Sequence, residues 1–244
     1  HKFAPLSFPY SLTSPDPVVN NVASGGKCSE YRIYGGAFGA YTSVFSLAEG
    51  IRLVEYRSHD NVANAELIKA ATVYVDNTVP QSSLVISQPK HEASGSIYVS
   101  TWTLFMLSSV DPVVNGVATG VKDIRRRFGA DAFGMYSSGF IAPNFDGDKV
   151  LEYFSADNVG NTEPARSQAV KLDATAPITA LRISNGVQYA GPAAGSFYAS
   201  LASRFGLLAV DPVIGGVASG VKRTSWSDNN GVVAYTTDGL AFSE

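Results

Sequence analysis

The 244-residue chain contains one cysteine, Cys28, which excludes an internal disulfide framework and a cysteine-ligated zinc site. Charge is sparse and nearly balanced: 18 Lys and Arg face 21 Asp and Glu, for a formal net charge of −3. No basic excess is left to build a nucleic-acid-binding face. No apolar run reaches the roughly 18 residues that a membrane-spanning helix needs. Helical stripes are missing too. Asn64 to Ala71 comes nearest, but its aligned copy carries Pro164, which opposes a helix. Neither an initiator Met nor a charged-then-apolar leader stands at His1, so the sequence reads as a processed chain or a piece of a longer one.

What the chain does have is repetition. Asp16 to Gly25 (DPVVNNVASG) returns as Asp111 to Gly120 (DPVVNGVATG) and again as Asp211 to Gly220 (DPVIGGVASG). Asp60-Asn61-Val62-Ala63-Asn64-Ala65-Glu66 returns as Asp157-Asn158-Val159-Gly160-Asn161-Thr162-Glu163. Val75-Asp76-Asn77-Thr78-Val79-Pro80 returns as Leu172-Asp173-Ala174-Thr175-Ala176-Pro177. Three phrases in one order define a tandem array with a period of about 97 residues. The expected units are 1–80, shortened in its first strand; 81–177, complete; and 178–244, lacking its last two strands.

Within a unit the apolar period is two, the signature of strands with one buried face. Leu151, Tyr153 and Ser155 fall on one side, as do the aligned Val54, Tyr56 and Ser58, while Glu55, Arg57 and His59 fall on the other. Val73 and Val75 align with Val170 and Leu172. Turn residues recur about every 10 positions, the spacing of a β-sandwich. In the second unit the strands are expected at 83–87 with a second piece at 97–101, then at 104–110, 122–128, 149–156 and 166–172, with two short ones between 132 and 145. Gly160 is expected at positive φ in the turn after the sixth strand, a conformation that Ala63 adopts only at a cost of about 1 kcal/mol. Pro80 and Pro177 stiffen the passage between units.

The phrases Asp111…Thr119-Gly120-Val121, Tyr153-Phe154-Ser155-Ala156-Asp157-Asn158-Val159-Gly160-Asn161-Thr162-Glu163 and Leu172-Asp173-Ala174-Thr175-Ala176-Pro177 resemble bacterial immunoglobulin-like or fibronectin III-like repeats of secreted and cell-surface proteins. The resemblance covers most of the chain. It implies an all-β fold of tandem β-sandwich domains arranged as a rod with the last repeat incomplete. It also implies an extracellular or cell-surface location. The chain departs from the pattern in the long insert Pro112 to Ala118 and in Ala63, which stands where the pattern has Gly.

Repeated residues are expected to be structural, because an active site needs building only once. In a seven-stranded sandwich, the loops after the second and sixth strands share one end with the entry of the first strand. Asp76 of the linker should therefore lie near Asp111 and Asp157, and Asp173 near Asp211. Two readings of these carboxylates stand side by side. Each Asp caps its own turn through backbone amides, or the group holds an interdomain Ca²⁺, a hard cation taking six to eight oxygens. Asn144-Phe145-Asp146-Gly147-Asp148 begins like a calcium loop, but the twelfth position is Ser155, and a Asp-Gly hairpin turn is the plainer reading.

No catalytic residues emerge. Ser58, His59 and Asp60 are consecutive on a strand and alternate faces, so they cannot form a relay. His59 is expected on the outer face, His1 is terminal, and His91 has no second ligand nearby in sequence. Glu55 and Glu152 recur singly, without the partner carboxylate that glycoside hydrolysis needs. Arg125 and Arg127 share a face, solvated or gripping an acidic neighbour. Cys28 packs as a small apolar group or lies free, and Trp102 and Trp226 stand on strands of different repeats. The expectation is a non-catalytic structural protein of a surface filament, sheath or stalk, continuing in the same chain or polymerising with other copies by strand addition. Lys2 to Thr13 is the candidate donor strand, restricted to an edge by Pro5 and Pro9. The alternatives are a spacer or glycan-binding segment of a secreted polysaccharide-active enzyme, with a cell-surface glycan as partner, and an adhesin shaft.

Overall fold

The structure, a computed structural model, describes residues 2–5, 7–185, 189–191, 193–227 and 233–237. Among these residues every regular element is a strand, and no helix is long and apolar enough to cross a membrane. His1 lies outside the described residues.

Strands β1 (Lys2–Ala4), β2 (Gly26–Ile33), β3 (Gly39–Ala40), β4 (Gly50–Asp60) and β5 (Lys69–Val75) form one sheet in the order β1-β5-β4-β2-β3. The segment expected as a strand donor supplies β1, which runs parallel to β5 with Ala4 opposite Val75, at the edge of its own sheet. Its apolar face is fixed by alternation: Leu47, Val54, Val73 and Val75 form a buried cluster with Tyr10 and Phe45 packed against it. Tyr31 stacks on Phe45 at 4.2 Å, and Phe45 is bridged to Tyr10.

The middle repeat builds both layers. Strands β6 (Gln81–Ile86), β7 (Lys90–Ala93), β8 (Ser96–Val99), β9 (Leu104–Val110), β10 (Val121–Phe128), β11 (Gly134–Met135), β12 (Phe140–Ile141), β13 (Gly147–Asp157) and β14 (Arg166–Leu172) divide between two sheets. One has the order β11-β10-β13-β14-β8-β7 and the other β12-β9-β6. Ser109 of β9 and Ser155 of β13 join them through hydroxyls 2.8 Å apart. Leu151, Tyr153, Ser155 and Asp157 are buried on β13 and alternate with partly exposed neighbours, as the period-two pattern requires. Phe140 pairs with Phe105, repeating at the same spacing the Tyr10–Phe45 bridge. The arrangement is an all-β sandwich. Strands β15 (Ile178–Ser184), β16 (Tyr189–Ala190), β17 (Phe197–Tyr198), β18 (Arg204–Val210), β19 (Arg223–Ser227) and β20 (Val233–Thr237) pair as β15-β18, β16-β17 and β19-β20.

Backbone contacts gather the chain into two compact units: residues 1–85, 107–138 and 152–167, and residues 86–106, 139–151 and 168–244. Each holds one linker together with the loop that receives it.

Gly160 has φ of 98° and Ala63 has φ of 69° at the same place in the repeat. Nothing lies within 4 Å of a Cβ added to Gly160, so only backbone strain opposes a side chain there. Ala63→Gly is expected to stabilise the protein and Gly160→Ala to destabilise it, each by about 1 kcal/mol, read from denaturant midpoints.

Candidate functional site

The ten-residue Asp-Pro phrase folds the same way three times. Asp16, Asp111 and Asp211 accept through Oδ2 from the amides of Gly25, Gly120 and Gly220 at 2.7, 2.7 and 2.6 Å. Two-residue bridges, Val19–Val22, Val114–Val117 and Ile214–Val217, close each loop from inside. The glycines have φ between 81° and 89°, a left-handed backbone that glycine tolerates best.

A second carboxylate fastens each linker to the next such loop. Asp76 accepts from Thr78 N through Oδ1 (3.1 Å) and from Thr119 N through Oδ2 (2.6 Å). Asp173 does the same with Thr175 N (3.3 Å) and Ser219 N (2.7 Å). A third acid holds the linker from behind. Glu49 accepts from Thr78 Oγ1 at 2.6 Å, and Asp146 accepts from Ala174 N and Thr175 Oγ1 at 2.8 and 2.9 Å. Asp146-Gly147 is therefore not the hairpin turn expected from sequence. Strand β12 pairs with β9 while β13 joins the other sheet, so the dipeptide turns the chain between layers. The linker hydrogen bonds hold the Asp146 carboxyl below the usual range against the opposing effect of burial.

The structure brings Asp76, Asp111 and Asp157 together, with one carboxylate oxygen of each within 4.8 Å of the others. Asp76 and Asp157 are fully buried. Asp157 accepts through Oδ1 from the amides of Val159, Gly160 and Asn161 at 3.0, 2.7 and 2.8 Å. Its Oδ2 takes the Asn161 side chain, which also donates to the carbonyl of Asp76 at 3.1 Å. Turn capping is thus realised at all three acids. One atom stands apart: Asp111 Oδ1 is buried with no hydrogen-bond partner among the described residues. Burial, and beyond it the charges of Asp76 and Asp157, push the Asp111 carboxyl above its usual range, against the hydrogen bond from Gly120. In the other compact unit Asp173 and Asp211 bind the neighbouring amides of Ser219 and Gly220, and Asp211 Oδ1 is likewise buried without a partner.

Glu163 also belongs to this end of the sandwich, and only its place in the repeated phrase marked it. It is 5% exposed. Oε1 accepts from Ser82 N, Ser155 N and Ser155 Oγ at 3.0, 2.9 and 2.7 Å, and Oε2 pairs with Arg166 at 3.1 Å.

The other candidates are scattered. Ser58 meets Ser29, His59 meets Glu30 at 3.2 Å, and Asp60 meets Asn64: three neighbours rather than a relay. Glu55 is held by Arg32 in two hydrogen bonds, and Glu152 pairs with Arg127. Arg125 reaches Asp123, Lys90 reaches Glu92 beside His91, and Cys28 is exposed and free. Trp102 is exposed in a turn.

The chain matches no protein-family model and no curated protein by sequence. Among solved structures it is similar to the fibronectin(III)-like modules of Clostridium thermocellum CbhA, at 11% identity over 70% of this chain and 87% of that one, with a TM-score of 0.36.

Proposed function

We propose that this chain is a non-catalytic structural protein of the cell exterior, a tandem array of immunoglobulin-like or fibronectin III-like modules serving a filament, sheath or stalk. The observation that carries the reading is the duplicated fastening, Asp76 to Thr119 and Asp173 to Ser219, at 2.6 and 2.7 Å. Buried carboxylates spent on fixing how one module follows the next suit a part that bears shape. Protease treatment of intact source cells should release peptides of this chain; release only after lysis would overturn the exterior assignment.

A second element of the proposal concerns Ca²⁺ at Asp76, Asp111 and Asp157, favoured by the partnerless Asp111 Oδ1 and the raised Asp111 carboxyl. A cation there would supply the missing partner and cancel the repulsion of three acids. At 100 times its dissociation constant it would add about 2.7 kcal/mol to stability. Chelation should lower the melting temperature. Asp111→Asn should raise it in chelator, since the amide oxygen can take the place of Oδ2 and accept from Gly120 while one charge is gone, and should remove the response to Ca²⁺. Identical melting with and without chelator would remove the ion from the account.

A further inference from the structure

The three Asp-Pro loops share one backbone but not one environment. Val117 and Val217 are 2% and 1% exposed, whereas the equivalent Val22 is 72% exposed. The second loop is covered at its tip by the start of β4: a Cβ on Gly50 would lie 3.0 Å from Asn115, and one on Gly116 would lie 3.7 Å from Ile51. The third loop meets Asp146-Gly147 in the same way, with the Asp146 carbonyl 2.8 Å from a Cβ on Gly215.

Beside the first loop runs a groove of about 470 Å³ lined by Thr13, Ser14, Asp16, Ser58, Asp60 and Glu66, among others. Their equivalents in the middle repeat are Ser108, Ser109, Asp111, Ser155, Asp157 and Glu163; two of them, Ser108 and Glu163, are bonded directly by residues 82 and 83, and Asp76 lies beside Asp111 and Asp157. Asp76 binds Thr119 N, its carbonyl accepts from Asn161, Ser82 N donates to Glu163, and Ser83 bonds Ser108 at 2.8 Å. Ser155 and Asp157 are fully buried there, while Ser58 and Asp60 are partly exposed.

We propose that the first Asp-Pro loop and its groove form a docking face for the exit linker of another module of this kind. The ligand is an extended peptide with Asp, then Thr and Pro, then paired serines, as in Asp76-Asn77-Thr78-Val79-Pro80-Gln81-Ser82-Ser83. Its Asp binds the amide of Ser24, the counterpart of Thr119 and Ser219, and its backbone donates to Glu66 as Ser82 does to Glu163. The occupant follows from continuity with an interface already built within this chain. The inference deepens the array reading and rests on it.

The test is a titration of the full isotope-labelled chain with a synthetic peptide of residues 74–84, followed by amide shifts. Saturable shifts at Ser24, Ser58 and Glu66 are expected, weakened at least tenfold by Asp76→Ala in the peptide or by Glu66→Ala in the protein. Failure to saturate at millimolar peptide, or shifts indifferent to both substitutions, would overturn the proposal. Self-association that perturbs the same amides without peptide would assign the face to a second copy and likewise overturn the linker assignment. These failures would leave the Asp76 and Asp173 fastenings standing, so they are distinguishable from failure of the array reading.

Discussion

Glu163→Ala should destabilise the protein by about 3–5 kcal/mol, because three donors lose their acceptor at about 1–3 kcal/mol each, while Arg166 is half exposed and is left to water. The substitution leaves the amides of Ser82 and Ser155 and the Ser155 hydroxyl without their acceptor, in a place where Glu163 is 5% exposed. Glu163→Gln keeps one acceptor oxygen and should lose roughly 1–2 kcal/mol. The pH dependence has a definite sign. Burial alone would raise the Glu163 carboxyl, but hydrogen bonds from Ser82 and Ser155 and the contact with Arg166 outweigh it and hold the group below its ordinary value of 4.5. The folded state therefore binds that proton less readily than the unfolded chain. The stabilisation is complete above about pH 4.5 and is lost as pH falls through the lowered folded value. Urea titrations between pH 3 and 7 should show this loss in the wild type and a shallower one in Glu163→Gln; parallel curves would mean that Glu163 is not the group responsible.

Asp157→Ala should cost about 3 kcal/mol, because three backbone amides and the Asn161 side chain lose one shared acceptor inside the protein. Relief of repulsion with Asp76 and Asp111 offsets part of that loss. Asp60, its counterpart in the first repeat, makes the same turn through Val62 and Asn64 in a more exposed setting, where water can replace the lost acceptor. Asp60→Ala should therefore cost distinctly less, and the pair of variants serves as an internal control. Equal losses at the two positions would show that burial at Asp157 is not what makes its turn valuable.

Much of this was legible in the residues because the repeat prints each feature more than once. Period-two alternation placed β9, β10, β13 and β14 within a residue or two at each end, since sandwich strands with one buried face must alternate. Aligning Ala63 with Gly160 located a left-handed turn that one sequence alone would have hidden. Sandwich connectivity brought Asp76 to Asp111 and Asp157 before any distance was known. What escaped has a common cause. Glu49 and Asp146 do the same work with side chains of different length, so no shared phrase marks them, and Asp146-Gly147 read as an ordinary turn. Glu163 looked like one more repeated polar residue, because burial of a charge depends on Ser82 arriving from a distant segment. The closure of each Asp-Pro loop by its own glycine was available in the constant spacing from Asp16 to Gly25, Asp111 to Gly120 and Asp211 to Gly220.

The central claim is that recurring carboxylates fasten linker to loop at both junctions, and amide hydrogen exchange in the full chain reads it most directly. The Thr119 and Ser219 amides should both be protected. Asp76→Ala should release Thr119 alone and Asp173→Ala should release Ser219 alone, each by a hundredfold or so, equivalent to roughly 2.7 kcal/mol of local opening. Unprotected amides in the wild type, or protection that survives removal of its own carboxylate, would contradict the account.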